Sequence, residues 1–109
     1  MRIRYNKLVR DRIPEIVRKA GKTPYTRIAS DAELRALLES KLQEETDELL
    51  SSPPTKRAEE LADILEVVHA LARLEGLTLE ALEALRARKA AERGGFEEKL
   101  VLVEVDEPE

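Results

Sequence analysis

The sequence predicts an all-α fold, a bundle of about four helices with short terminal strands, in a single domain spanning residues 1–109. Three observations carry that expectation. Ala, Leu, Glu, Lys and Arg make up roughly 60% of the chain, a bias typical of long helices. Apolar residues recur at helical spacing between recognisable caps and breakers. Aromatic residues are only 3%, so the core must be aliphatic, and 109 residues suffice for one modest core.

Taken in order, Asp11 is placed to cap a short first helix through Ile13, Pro14, Ile16 and Val17, which Gly21 ends. Tyr25 to Ala29 follows Thr23-Pro24 and carries Tyr, Thr and Ile, which favour an extended strand. Ser30-Asp31-Ala32-Glu33 reads as a capping box, in which Ser30 and Glu33 satisfy each other's free backbone donors. The second helix should run from there to about Leu50, where Ser51-Ser52-Pro53-Pro54-Thr55 breaks it. A third helix then runs to Gly76, and Thr78 caps a fourth that stops at Gly94-Gly95. Lys99 to Val105 alternates and is β-branched enough for one strand, which could pair with Tyr25–Ala29 or with Arg2–Tyr5. No internal repeat, low-complexity tract or linker interrupts the chain.

Composition excludes several classes of function. A net charge of −4 gives no basis for binding nucleic acid or an anionic membrane surface. No apolar run approaches the roughly 18 residues of a membrane span, and none follows Met1-Arg2-Ile3-Arg4 to make a signal peptide. The absence of Cys excludes disulfides and thiolate metal sites, and a single His argues against zinc. The chain is expected to be cytoplasmic.

Acids stand where a core should be. On the second helix Leu34, Leu38, Leu42 and Leu49 share a face, which passes through Glu45 and has Glu48 at its edge. On the third, Leu61, Leu65, Val68 and Ala72 form one stripe, and Val67, Leu71 and Leu74 form an adjoining one. Traced backwards, the second stripe meets Asp63 and then Glu60. Glu44 and Glu48 repel at a spacing of four, as do Glu59 and Asp63, at about 0.2–0.5 kcal/mol per pair. Lys41 and Lys56 offset only part of this. A salt-bridged surface explains Glu33, Glu39, Glu66, Glu75 and Glu83, but not charges that interrupt apolar stripes. Four carboxylates on two antiparallel helices offer the hard oxygen ligands that suit Mg²⁺, or Mn²⁺ in its place.

The fourth helix begins apolar at Leu79 and Leu82, and the same stripe becomes cationic at Arg86, Lys89 and Arg93. Bases near a helix C-terminus favour the helix dipole, but this row also suits a phosphate clamp. Lys7, Arg10 and Arg12 could join it, whereas Arg88 points to the opposite face. His69, between Glu66 and Arg73, reads as an exposed helical residue. The third helix is apolar over more of its surface than its own neighbours can cover, so a two-fold homodimer is expected.

Glu44-Glu45-Glu48 followed by Glu60 and Asp63 fits the pattern E-E-x-x-E … E-x-x-D. It resembles the all-α NTP pyrophosphatase superfamily, which includes MazG-like proteins, dimeric dUTPases and phosphoribosyl-ATP pyrophosphohydrolases. Tyr5-Asn6-Lys7-Leu8-Val9-Arg10-Asp11-Arg12-Ile13-Pro14 and Lys89-Ala90-Ala91-Glu92-Arg93-Gly94-Gly95-Phe96 are similar to the small phosphoribosyl-ATP pyrophosphohydrolase-like group. The resemblance implies Mg²⁺ held by Glu45, Glu48, Glu60 and Asp63, a helical bundle completed by a second subunit, and cleavage of a nucleotide to a nucleoside monophosphate and pyrophosphate. It also implies phosphate contacts from Lys89 and Arg93. Arg86 stands where MazG-like members often have Asn, a departure that bears on sugar or base recognition. In the expected mechanism Glu44 or Glu45 holds the attacking water, and Lys7, Arg10, Arg86, Lys89 and Arg93 bind the phosphates. The rival readings are a phosphoribosyl-ATP pyrophosphohydrolase of histidine biosynthesis, a nucleotide- or metal-binding module without turnover, and a helical scaffold or antitoxin-like partner.

Overall fold

The computed structural model describes residues 1–108. Among these the chain is all-helical: α1 (Ile13–Lys19), α2 (Asp31–Ser51), a 3₁₀ turn (Pro54–Lys56), α3 (Arg57–Leu74) and α4 (Leu79–Arg93). The two long helices form an antiparallel hairpin, and α4 packs against α3. None of the described helices is long and apolar enough to cross a membrane.

Local chemistry accounts for the helix ends. Ser30 Oγ accepts from the Glu33 backbone N–H at 3.2 Å, and Thr78 Oγ1 accepts from Ala81 N–H at 3.0 Å. The expected capping box is therefore half made. The Glu33 carboxylate does not return to Ser30 but accepts a fork of two bonds from Arg27, at 2.6 and 2.7 Å. A charge-assisted bidentate pair outcompetes a single bond to a backbone donor. Ser30→Ala should lower stability by about 1 kcal/mol, read as a lower urea midpoint at unchanged m-value.

The end of α2 is satisfied by its own side chains. The Ser51 and Ser52 hydroxyls donate to the Asp47 and Glu48 carbonyls at 2.9 and 2.6 Å, and Arg57 donates to the Leu49 carbonyl at 3.1 Å. Pro53 and Pro54 then prevent continuation. At the end of α3, Leu77 N–H reaches the Ala72 carbonyl at 2.9 Å and Gly76 N–H the Arg73 carbonyl at 3.0 Å. That reversal requires φ +79° at Gly76, a conformation costly for any other residue.

Three expectations need correction. Asp11 does not cap α1: the cap position is Arg12, with no side-chain bond, one residue before the helix opens at Ile13-Pro14. No strand forms among the described residues, so neither Tyr25–Ala29 nor Lys99–Val105 is one. Their residues have strand propensity, but a strand exists only when its N–H and C=O groups bond to a neighbour, and neither segment forms such a ladder in this chain, although Arg2 stacks over the Tyr25 ring at 4.4 Å. The third correction concerns His69, which is half-buried rather than exposed. It lines a groove of about 220 Å³ with Leu65, Val68, Leu79, Leu82 and Arg86, where α4 leans on α3.

The hairpin buries little by itself. Leu38, Val67 and Ala72 are its buried apolar residues, and the fourth buried side chain is Glu45. Leu61 and Leu65 of the first α3 stripe stay 55% and 53% exposed. The radius of gyration is 19.1 Å, against about 13 Å for a compact domain of this length.

Candidate metal centre

The centre of the hairpin is where α2 presents Glu45 and α3 presents Glu60 and Asp63. A spacing of three puts Glu60 and Asp63 on one face of α3, and that face also carries Val67 into the core. One oxygen from each of the three carboxylates lies within 4.8 Å of the others. The two helices thus bring together side chains that are 15 or more positions apart in sequence.

Glu45 is 7% exposed, a degree of burial rare for a carboxylate without full pairing. Its Oε1 lies 3.6 Å from Lys41 Nζ, one helical turn earlier, but its Oε2 is buried with no hydrogen-bond partner. Glu60 Oε2 is likewise buried and unpartnered. Burial, then the hydrogen-bonding proximity and charge of Glu48, then the charge of Asp63 push the Glu45 carboxyl above its ordinary range, against the pull of Lys41. Glu60 is raised too, first by desolvation and then by the charges of Glu48 and Asp63. Three gathered carboxylates, two of them with an orphaned buried oxygen, form a site short of positive charge. Hard oxygen donors in that number and placement fit a divalent cation of the Mg²⁺ type.

Glu48 stands beside this trio rather than within it. It is exposed and close enough to Glu45 and Glu60 to raise both, but its oxygens fall outside the group of three. Glu44 turns to the rim, half-buried, with Lys7 Nζ at 3.2 Å and Lys41 Nζ at 3.7 Å. Lys41 is thus a member of the site that sequence reading treated only as local charge balance. Its signal was its position three and four residues before Glu44 and Glu45.

The basic residues divide into two sets. Lys7 and Arg10 reach the acids: Lys7 pairs with Glu44, and Arg10 Nη2 donates to Asp63 Oδ1 at 2.7 Å. Lys89 and Arg93 instead line a separate concavity with Arg86, Gly94, Gly95 and Phe96. Within it Arg86 is engaged, its guanidinium gripping Glu83 at 2.6–3.0 Å. The basic residues expected to act together thus lie in two separate places, and of the two sets only Lys7 and Arg10 stand against the carboxylates.

The Arg10 contact has a direct consequence. Its guanidinium occupies Asp63, one of the three carboxylates that a cation in the trio would share. Arg10→Gln should tighten Mg²⁺ binding several-fold in calorimetry, because the ion no longer displaces an ion pair. An unchanged affinity would show that the pair does not compete.

No known protein-family profile matches the chain, and no solved structure matches it. Over 42 residues it is 57% identical to an uncharacterized protein of Mycolicibacterium smegmatis, a stretch covering 38% of this chain and 43% of that protein. The matched stretch spans less than half the length of that relative.

Proposed function

We propose that the chain is a Mg²⁺-dependent nucleotide pyrophosphohydrolase of the MazG-like, all-α NTP pyrophosphatase type, cleaving a nucleoside triphosphate or related nucleotide between its α- and β-phosphates. The observation that carries this reading is the convergence of Glu45, Glu60 and Asp63, two of which, Glu45 and Glu60, each have a buried carboxylate oxygen without a hydrogen-bond partner. A structural design would fill such a position with Leu or Ala, because an unpaired buried charge is expensive. The motif resemblance supplies the reaction class.

Glu45, Glu60 and Asp63 would hold the cation, with Glu48 at its edge. Bound there, Mg²⁺ would neutralise charge on the phosphates and favour ionisation of a nearby water. The chain's own groups account for the other roles. Glu44 lies at the rim, where it can accept a proton from water as the water oxygen attacks the α-phosphorus in line. As that bond forms, the α–β anhydride bond breaks and pyrophosphate leaves with its negative charge. Lys7 and Arg10 stand next to the acids and exchange carboxylate for phosphate when a nucleotide binds. Lys89 and Arg93, with Arg86, offer a second cationic surface that fits the leaving group's charge.

The exposed Leu61–Leu65 face of α3 supports the second half of the reading, a homodimer in which another copy completes the bundle. Pyrophosphate release from a panel of canonical, deoxy and damaged triphosphates, with and without Mg²⁺, tests the activity. Release that requires Mg²⁺ supports it. Mg²⁺-dependent nucleotide binding with no pyrophosphate from any substrate would overturn the hydrolase assignment.

A further inference from the structure

The segment that follows α4 is the least covered apolar stretch of the protein. Leu100, Val101, Leu102 and Val103 are 80–85% exposed, Val105 63%, and Phe96, just before them, 97%. Four consecutive aliphatic residues in water form a sticky, strand-competent edge unless something covers them. The whole chain exposes 10,006 Å², whereas a folded monomer of 12.3 kDa exposes about 6,100 Å². The excess of about 3,900 Å² is more than the roughly 1,000–2,500 Å² that each partner of an obligate homodimer buries.

Charge narrows what can cover the segment. Glu97, Glu98, Glu104, Asp106 and Glu107 flank or interrupt it, so an anionic membrane surface or a nucleic acid would be repelled. The complementary surface is at the other end of the same sequence. Arg2-Ile3-Arg4-Tyr5 alternates bases with apolar residues, and Ile3 and Tyr5 are 64% and 70% exposed. In a strand, Arg2 and Arg4 would share one face and Ile3 and Tyr5 the other. Leu100 to Val105 would likewise set Val101, Val103 and Val105 on one face, opposite Leu100, Leu102 and Glu104. Each segment offers what the other lacks, and within one chain the two form no ladder.

We propose that residues 100–105 of one copy pair as a β-strand with residues 2–5 of a second copy, so that a two-fold dimer closes with two exchanged strand pairs. This rests on the two-copy reading above and adds to it the segments that join the copies. An exchanged terminal strand satisfies its backbone groups, covers the aliphatic run and brings acidic flanks against basic ones in one contact. It also places the Lys7 and Arg10 region of each copy next to its partner's chain.

The protein has no cysteine, so engineered pairs report cleanly. Ile3→Cys would be mixed with each of Val101→Cys, Leu102→Cys, Val103→Cys and Val105→Cys, which sample both faces of the strand, and the mixtures oxidised under native conditions. The expected result is a covalent heterodimer in at least one mixture, and slow amide exchange over residues 100–105 that becomes fast on dilution. Three outcomes would overturn the proposal in different ways. A double variant, Ile3→Cys with Val103→Cys, that closes only within one chain would show pairing without exchange. A dimer by sedimentation with no cross-link in any mixture would leave the two-copy reading standing on the helix faces and remove the strand exchange. A monomer at micromolar concentration would end both.

Discussion

Glu60→Gln and Asp63→Asn are each expected to lower Mg²⁺-dependent pyrophosphate release by at least about 100-fold, the scale on which losing one preorganised charge-stabilising group acts in other enzymes. The same variants should keep the fold. Glu60 Oε2 is buried without a partner, and Glu60 is raised by desolvation and by its acidic neighbours. Removing one negative charge relieves repulsion that the hairpin otherwise carries, so the urea midpoint should stay or rise. The combination is diagnostic. A structural acid would lose stability and keep its activity per folded molecule, whereas a metal-holding acid loses activity and keeps or gains stability. Because Glu45, Glu48, Glu60 and Asp63 share one field, the double variant should cost no more activity than either single one.

Adding Mg²⁺ should produce the other large effect, a change in both the size and the pH dependence of stability. At 100 times its dissociation constant the ion would contribute about 2.7 kcal/mol, a rise in Tm on the order of 10 °C for a domain of this size. The pH trend of the metal-free protein follows from the raised carboxyls. Glu45 and Glu60 sit above their ordinary range of about 4.5 when folded, so the folded state binds more protons than the unfolded state in the window just above that range. Stability of the metal-free protein is therefore lost as pH rises through the folded values and regained as pH falls back towards the ordinary range. With Mg²⁺ bound the same carboxyls must be ionised, so binding releases protons and the trend reverses: the ion stabilises more as pH rises. Thermal melts from pH 5 to 8 with Mg²⁺ or with chelator measure both slopes. Parallel curves in the two conditions would show that no cation engages these acids.

How much of this is legible in the sequence depends on the range of the interactions. Helix positions and ends are decided within a turn or two of chain, and the sequence carried them well. Ser30, Thr78, Gly76 and the Pro53-Pro54 break all act where expected. The Asp11 cap failed because the helix opens one residue later, at Ile13-Pro14, which leaves Arg12 at the cap position. The acids were visible as interruptions of apolar stripes, which is a statement about one helix at a time. That Glu45 and, across the hairpin, Glu60 and Asp63 meet, with Glu48 at their edge, is decided by the register of α2 against α3, and no spacing along one helix contains it. The bases show the same division. Their positions were readable, but the pairing of Arg10 with Asp63, and of Arg86 with its own neighbour Glu83, depends on where flexible side chains find the nearest opposite charge.

By itself, then, the sequence determined a mainly helical chain, the order of its helices and most of their ends, and the presence of carboxylates where leucines would be cheaper. These follow from periodicity, propensity and capping, which act between residues at most a few positions apart. Tertiary structure decided which of those carboxylates converge, which bases reach them, and that the segments with strand propensity stay unpaired within one chain. Convergence and pairing depend on the relative placement of elements distant in sequence, set by packing between helices and not by the pattern within any one of them.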